Sequence, residues 1–409
     1  MKKILIYIFI LILLTNPVKN PAQTNINTAA KSSNNFAISL FNRLDQNKNL
    51  FFSPLSISTA LAIAVNGARG TTLKSIKSTL KIKEDLNLQN NDFKNFLTLL
   101  NINRMEDSME LSIANSLWMQ QDYKFNKSFV EIAKDYYGSE LNQINFKLSA
   151  ELENSRNKVN NWVQEKTNDR IKDLIKPGIL DTTTRLIIVN AIYFKGRWLY
   201  QFDENFTIKE TFYSINNKVS ANYMKLNETA FKYYEGNEFK MLELPYLGEE
   251  FSMIIILPEI MDGISDLESN FSLENYIDWS KNLKQEIVDV SIPKFKLESE
   301  FNLSKVLSKM GMEVAFSDKA DFTGMLDSNS EAEKLKIKDV IHKSFIEVNE
   351  VGTEASAATA VQFAYETGNG PSVENKKTFK ADHPFIFLIK ENTSNAILFL
   401  GRIMNPQTE

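Results

Sequence analysis

The chain of 409 residues contains no cysteine and only two histidines, His342 and His383. Without cysteine it has no disulfide, no thiol nucleophile and no thiolate metal ligand. A serine hydrolase would have to depend on His342, because His383 is fixed beside Pro384, and no G-x-S-x-G segment is present to carry its nucleophile. The sequence therefore predicts a protein that is not an enzyme and that holds no metal and no cofactor.

The chain also lacks any long run of charge of one sign. Lys and Arg total 47 against 51 Asp and Glu, which gives a net charge of −4. A protein that binds nucleic acid or an anionic membrane surface usually carries a basic cluster. We therefore expect neither kind of partner.

One apolar run stands at the start of the chain, where Met1-Lys2-Lys3 precedes Ile4 to Leu14. This run is too short for a bilayer, which requires ~20 residues, but it is typical of a secretory signal peptide. We predict a signal peptide over residues 1–22, cleaved after Ala22, and an N-terminal extension over 23–33. The protein is then secreted, extracellular or periplasmic; an uncleaved membrane anchor is the alternative.

Apolar periodicity predicts helices in the first half of the chain and strands in the second, an α+β organisation. The predicted helices are Phe36 to Leu44, Leu55 to Val65, Phe125 to Tyr137 and Val159 to Leu174. The predicted strands are Leu186 to Phe194, Phe251 to Leu257, Ile287 to Ile292, Phe385 to Ile389 and Ala396 to Leu400.

A run of mostly small residues, Gly352 to Ala360, follows the strand-like Phe345 to Val348. Written as an extended chain, it places Thr353, Ala355, Ala357 and Thr359 on one face. Residues 365–378 are polar and broken by Gly and Pro, as in an exposed loop. Such a segment could be a loop in one state and a strand in another.

The stretch Glu350 to Ala360 resembles the hinge of the serpins, and five other segments match that family in order. They are Phe51 to Ile57, Asn190 to Trp198, Phe316 to Gly324, His383 to Ile389 and Leu398 to Pro406. The resemblance implies one domain over residues 34–409, in which helices pack around three β-sheets and a reactive-centre loop is exposed at about 351–378.

The resemblance also implies three structural sites. The hinge would comprise Glu350, Gly352, Thr353, Glu354, Ala355, Ser356, Ala357, Ala358 and Thr359. The shutter, across which the central sheet opens, would comprise Ser53, Ser56, Asn190 and His342. The breach, where the loop first enters that sheet, would contain Trp198.

By this resemblance the protein is a suicide inhibitor of serine endopeptidases, which traps the acyl-enzyme by inserting its cleaved loop into the central sheet. The alternative is a serpin-fold carrier or chaperone that does not inhibit. Those relatives tend to have bulky, charged or proline residues in the hinge, whereas this chain has Ala355 to Ala358. The hinge therefore favours inhibition.

Counting from Glu350, the family spacing places the reactive bond between Glu366 and Thr367, or between Tyr365 and Glu366 in a register one residue shorter. No Lys or Arg lies between Val351 and Asn375. We therefore expect glutamate-specific, chymotrypsin-like, elastase-like or subtilisin-like targets, with papain-like cysteine proteases as a further class, and not trypsin-like enzymes.

Some relatives bind heparin through a basic stripe, but the corresponding Asn90 to Arg104 has only Lys94 and Arg104 as basic residues. No heparin site is predicted, and we expect a monomer.

Overall fold

The computed structural model describes residues 21–83, 85–102, 109–327, 335–353 and 376–407. The predicted signal peptide up to residue 20 lies outside this part of the chain. So do residues 354–375, which include most of the predicted reactive-centre loop.

The α-helices are α1 Pro21–Phe41, α2 Pro54–Gly67, α3 Gly70–Thr79, α4 Leu86–Ile102, α5 Lys127–Tyr137, α6 Leu152–Lys166, α7 Ile264–Asn270, α8 Leu273–Ser280 and α9 Ser304–Leu307. The strands are β1 Leu50–Phe52, β2 Met109–Gln120, β3 Glu140–Ile144, β4 Leu186–Arg197, β5 Ile208–Tyr213, β6 Lys218–Glu235, β7 Phe239–Pro245, β8 Phe251–Pro258, β9 Lys284–Pro293, β10 Phe295–Asn302, β11 Asp339–Val348, β12 Gly352–Thr353, β13 Lys377–Lys380, β14 Phe385–Glu391 and β15 Ile397–Ile403. The predicted α+β organisation is confirmed.

Helix α2 lies at the centre of the molecule, and every one of its residues is buried. Ser53 caps it, since its side chain accepts a hydrogen bond from the backbone N–H of Ser56, and Pro54 occupies the first helical position. The helix packs against β2, β4 and β15. It therefore links the two sheets of the molecule.

Among the described residues, the first sheet has six strands in the order β10-β11-β12-β4-β2-β3. Strands β4 and β11 are buried along most of their length, as expected for central strands covered on both faces. This sheet carries the candidate site.

The second sheet has nine strands in the part of the chain that the structure describes, in the order β1-β15-β14-β8-β7-β6-β9-β13 with β5 paired to β6. The register of β6 with β9 shifts between Leu226 and Thr229, and Glu228 there has φ of 49°. The long β6 thus carries a bulge-like irregularity within its pairing to β9. The resemblance implies three sheets; in the described residues hydrogen bonds join the strands into two sheets, and the register of the larger one is interrupted at this point of β6.

Two predicted helices have different bounds in the structure. Helix α6 ends at Lys166 rather than near Leu174, because Asn168 and Asp169 have φ of 49° and 63°, which is left-handed backbone. Helix α1 begins at Pro21 and runs through the predicted extension, in which Ala29 and Ala30 are buried. Residues 29–33 therefore pack with the domain.

Within the described ranges, no helix combines the length and the apolar character that crossing a membrane requires.

Candidate functional site

The candidate site is the line along which β4 and β11 meet. These strands pair in parallel over six residues each, from Ile187 opposite Asp339 to Ile192 opposite Ser344. We call this stretch the seam. Beyond Ser344 the two strands separate, and the gap is occupied by β12, which pairs antiparallel with both. The sheet is therefore closed along the seam and parted at one end.

Gly352 enters this gap in close contact with the backbone of β4. It pairs with Arg197, and a Cβ atom added to it would lie 2.0 Å from the carbonyl oxygen of Gly196. Heavy atoms cannot approach so closely, so any other residue would push the two backbones apart. A glycine is required for the chain to enter the sheet here.

Thr353 is fully buried in the gap, where it pairs with Val348 of β11 and Gly196 of β4. Its hydroxyl lies 2.7 Å from the hydroxyl of Tyr246. Burial raises the pKa of Tyr246, so its phenol stays protonated and can donate this bond. The side chain predicted to be the first inward residue of the hinge is thus already inside the sheet.

Trp198 holds the chain that leads into the gap. Its backbone N–H donates to the carbonyl of Val351 at 2.9 Å, and its indole Nε1 donates to the carbonyl of Asn349 at 2.9 Å. The indole also stacks on Tyr246, with ring centroids 4.6 Å apart. The predicted breach residue therefore lies in direct contact with the entry of the hinge.

Glu350 is the second anchor of this entry. Its buried carboxylate lies 2.7 Å from Lys294 Nζ and accepts a hydrogen bond of 2.7 Å from Thr207 Oγ1. Burial alone would raise the pKa of this carboxyl, but the bonds from Lys294 and Thr207 outweigh it and the pKa lies below its usual range. Glu350 is therefore ionised and paired at neutral pH.

The predicted shutter residues form one hydrogen-bonded cluster beneath the seam. His342 and Asn190 are register partners across it, and all four of Ser53, Ser56, Asn190 and His342 are fully buried. The amide nitrogen of Asn190 donates to Ser56 Oγ and to Asn115 Oδ1. The cluster therefore extends from α2 through β11 and β4 to β2.

The tautomer of His342 follows from its partners. The backbone N–H of Ser53 donates to Nε2 at 3.1 Å, so Nε2 is unprotonated and Nδ1 carries the hydrogen that it donates to Asn190 Oδ1. Burial lowers the pKa of His342 to about 3. A second proton, on Nε2, would point at the backbone N–H of Ser53, which is itself a donor. The imidazole is therefore neutral.

Sequence reasoning missed four members of these clusters: Asn115, Thr207, Tyr246 and Lys294. Asn115 stands on β2, which was not predicted, and it is the register partner of Asn190. The sequence feature that could have identified Asn115 is that it is a polar residue within a mostly apolar stretch. The other three come from distant parts of the chain and carried no local signal.

The remaining predicted hinge residues, Glu354, Ala355, Ser356, Ala357, Ala358 and Thr359, lie outside the described part of the chain, as do Tyr365, Glu366 and Thr367.

Comparisons with a family model, with curated relatives and with solved structures each find serpins. The family model described as "Serpin (serine protease inhibitor)" matches residues 31–406. An uncharacterized serpin-like protein of Thermococcus kodakarensis is 41% identical, over 91% of this chain and 85% of that protein. The leukocyte elastase inhibitor of Xenopus laevis is 38% identical, over 91% of this chain and 97% of that protein.

A crystal structure of Serpin48 from the insect Tenebrio molitor superposes with a TM-score of 0.81 at 33% identity, covering 93% of this chain and 98% of that one. The agreement extends over nearly all of each chain, so it concerns the whole fold and not one motif. The chain belongs to the serpin family.

Proposed function

We propose that the protein is a secreted suicide inhibitor of serine endopeptidases, which traps the acyl-enzyme by inserting its cleaved loop into the six-stranded sheet. The observation that carries the proposal is the parted end of the seam. Gly352 and Thr353 already pair with both β4 and β11 there, while the seam below them is closed. The hinge thus stands at the start of an insertion path.

Insertion along this path exchanges one strand pairing for two. The seam is a parallel pair, whereas a strand continuing from Thr353 would run antiparallel to both β4 and β11. Antiparallel pairing is slightly more stable per residue, and the inserted strand adds a second ladder. About a dozen new hydrogen bonds at ~1 kcal/mol each would favour the inserted state by on the order of 10 kcal/mol.

The side chains of the inserting segment fit this path. Thr353 faces inward and is buried, so alternation directs Ala355, Ala357 and Thr359 inward as well. These are small and uncharged, and none would bring an unpaired charge under the sheet. The bulky or charged hinge segments of carrier or chaperone relatives would insert into a sheet less easily. The small hinge residues of this chain therefore favour inhibition over that alternative.

The seam supplies the barrier that keeps the intact loop outside. Insertion must break the six-residue parallel pairing and the bond between His342 and Asn190 that crosses it. Both imidazole nitrogens and both amide groups are satisfied in the closed state. The intact form is therefore held kinetically rather than at its lowest free energy.

The chemistry begins as ordinary proteolysis by the target. Its serine attacks the carbonyl of Glu366, or of Tyr365, to form an ester, and the amine of the next residue leaves. As the loop inserts, the esterified protease is carried along and its oxyanion hole is distorted. Hydrolysis of the ester loses transition-state stabilisation, so the covalent complex persists.

The target is proposed to be a glutamate-specific or a chymotrypsin-like, elastase-like or subtilisin-like enzyme. The predicted loop offers Glu366 and Tyr365 but no basic residue from Gly352 to Glu374. A protease with a carboxylate in its primary pocket would have nothing to pair with it. The similarity to a leukocyte elastase inhibitor is consistent with this choice.

Secretion is proposed from the n-region and h-region of residues 1–14. Expression of the full chain in a host with a secretory pathway should yield exported protein whose N-terminus is Gln23. Protein that stays in the cell with Met1 or Lys2 at its N-terminus would contradict export, without bearing on inhibition.

The inhibitory function is tested by incubating the protein with a panel of serine proteases and resolving the products under denaturing conditions. We expect an SDS-stable adduct of inhibitor and protease with at least one enzyme from the proposed classes. A protein that is cleaved by all of them without an adduct, or that binds none, would instead be a non-inhibitory member. Turnover of an unrelated peptide by the protein alone would indicate a hydrolase.

A further inference from the structure

A pocket of about 360 Å³ lies apart from the seam, between the segments that flank β7 and β8 on one side and helices α7 and α8 on the other. Its volume is within the range of pockets that bind small molecules. The proposed inhibitory mechanism does not use it.

The floor of this pocket is apolar and aromatic. Phe239 and Leu267 are buried in it, and Trp279 is half-buried, with its ring centroid 4.6 Å from that of Phe239. At the rim, Ile260 is 60% exposed. A ring-sized apolar group could therefore leave water by lying against Trp279 and Ile260.

The rim carries negative charge. Glu238, Glu259 and Asp266 line the pocket, and the described residues that line it include no lysine or arginine. Lys240 lies 3.4 Å from Glu259 and 3.4 Å from Glu235, so it is already shared between two carboxylates. In the described part of the chain Glu238 and Asp266 make no ion pair.

Unpaired carboxylates around an aromatic floor are the arrangement that selects an organic cation. The aromatic floor can take the apolar body of such a ligand, and the carboxylates add a Coulombic attraction for its charge that an uncharged molecule would not feel. An anion of the same shape would be repelled by the rim.

We propose that this pocket binds a small organic ammonium ion with a ring-sized apolar body. The ring lies on the floor formed by Phe239, Leu267 and Trp279, and the ammonium group lies between Glu238 and Asp266.

The test follows the four indole N–H signals of the intact protein by NMR, with that of Trp279 assigned through Trp279→Phe. The probe is 2-phenylethylammonium, compared with the uncharged 2-phenylethanol and the anionic 3-phenylpropionate. We expect the ammonium ion to shift the Trp279 signal saturably, and the alcohol to bind at least about fivefold more weakly. The anion should bind weakest of the three.

The double variant Glu238→Gln/Asp266→Asn should bind the ammonium ion and the alcohol equally. Glu274→Gln, which removes an exposed carboxylate of α8 outside the pocket, is the matched control and should keep the preference. Equal affinity for the two probes in the unmodified protein, no saturable shift at Trp279, or a preference that survives in the double variant would each overturn the proposal. An unchanged melting temperature of the double variant shows that it is folded.

Discussion

His342 and Asn190 are register partners on β11 and β4, and the imidazole Nδ1–H of the first donates to the side-chain carbonyl of the second across the seam. This bond joins the two strands that must separate during insertion. The imidazole of His342 is also held neutral by its surroundings, because a proton on Nε2 would oppose the backbone N–H of Ser53.

A lower pH should therefore reduce the stability of the folded protein through His342. Its pKa is lowered from 6.5 to about 3 in the folded protein, so below pH 6.5 the unfolded chain takes up a proton that the folded one refuses. The free energy of unfolding should fall by about 2 kcal/mol between pH 7 and pH 5 from this residue alone. Denaturant titrations at both pH values measure it.

His342→Gln is the matched variant for that experiment, since glutamine can accept and donate hydrogen bonds but does not titrate. Its loss of stability from pH 7 to pH 5 should be smaller than that of the unmodified protein by about the same amount. If the two proteins lose equal stability, His342 is not held neutral by the fold.

Thr353→Arg should convert an inhibitor into a substrate. Thr353 is fully buried against Tyr246, and a guanidinium placed there would be desolvated without a partner, at a cost of several kcal/mol. Cleavage by the target protease should continue while the SDS-stable adduct disappears.

Thr353→Ser is the control for this prediction, because it keeps the hydroxyl that contacts Tyr246 and should still form the adduct. An adduct from Thr353→Arg at the stoichiometry of the unmodified protein would refute insertion through the parted end of the seam.

Cleavage of the loop should raise the melting temperature. Insertion adds ladder bonds on both sides of a new strand, and a gain on the order of 10 kcal/mol corresponds to a shift of about 10 °C or more. Thermal scans of intact protein and of protein nicked by a non-target protease within residues 363–368 give the comparison.

The same scans on Thr353→Arg separate insertion from nicking. In that variant the cleaved form should melt at or below the temperature of its intact form. A midpoint that does not rise on cleavage of the unmodified protein would count against the inhibitory mechanism.

Specificity should follow the single residue before the reactive bond. The unmodified protein should form little adduct with trypsin, because no basic residue lies between Val351 and Asn375. Glu366→Arg should gain trypsin inhibition, as its guanidinium can pair with a carboxylate in the primary pocket. Tyr365→Arg should gain it only if the shorter register is the correct one.

Mass spectrometry of the C-terminal fragment, recovered by denaturing the adduct, identifies the bond directly. The fragment should begin at Thr367, or at Glu366 in the shorter register. A rapid, stoichiometric adduct of the unmodified protein with trypsin would contradict the predicted specificity.

Much of the fold could be predicted from local sequence because the pattern was strong there. The buried helix α2 and the strands β4, β8, β14 and β15 are nearly continuous apolar runs, and all were located within a few residues. By contrast, β2 was missed, since Ser112, Asn115 and Ser116 interrupt its apolar residues and resemble a loop.

The candidate site also has a part that could be predicted from the sequence and a part that could not. Ser53, Ser56, Asn190, His342 and Trp198 were predicted through the family resemblance; the structure joins the first four in one cluster and places Trp198 against Asn349 and Val351. The contacts that fix them could not be read from the chain, since the partners Lys294 of Glu350 and Tyr246 of Thr353 are set by tertiary packing. Neither residue stands near the hinge in sequence.

The pairing of β1 with β15 has a consequence for how the protein is made. Leu50 is the partner of Arg402, so two strands near opposite ends of the chain form one edge of the nine-stranded sheet. Helix α2, which follows β1 directly and is buried throughout, packs on β15 and is not fully covered until that strand is present. Closing so long a loop is entropically costly and slow. Nearly the whole polypeptide must therefore be synthesised before its core can close.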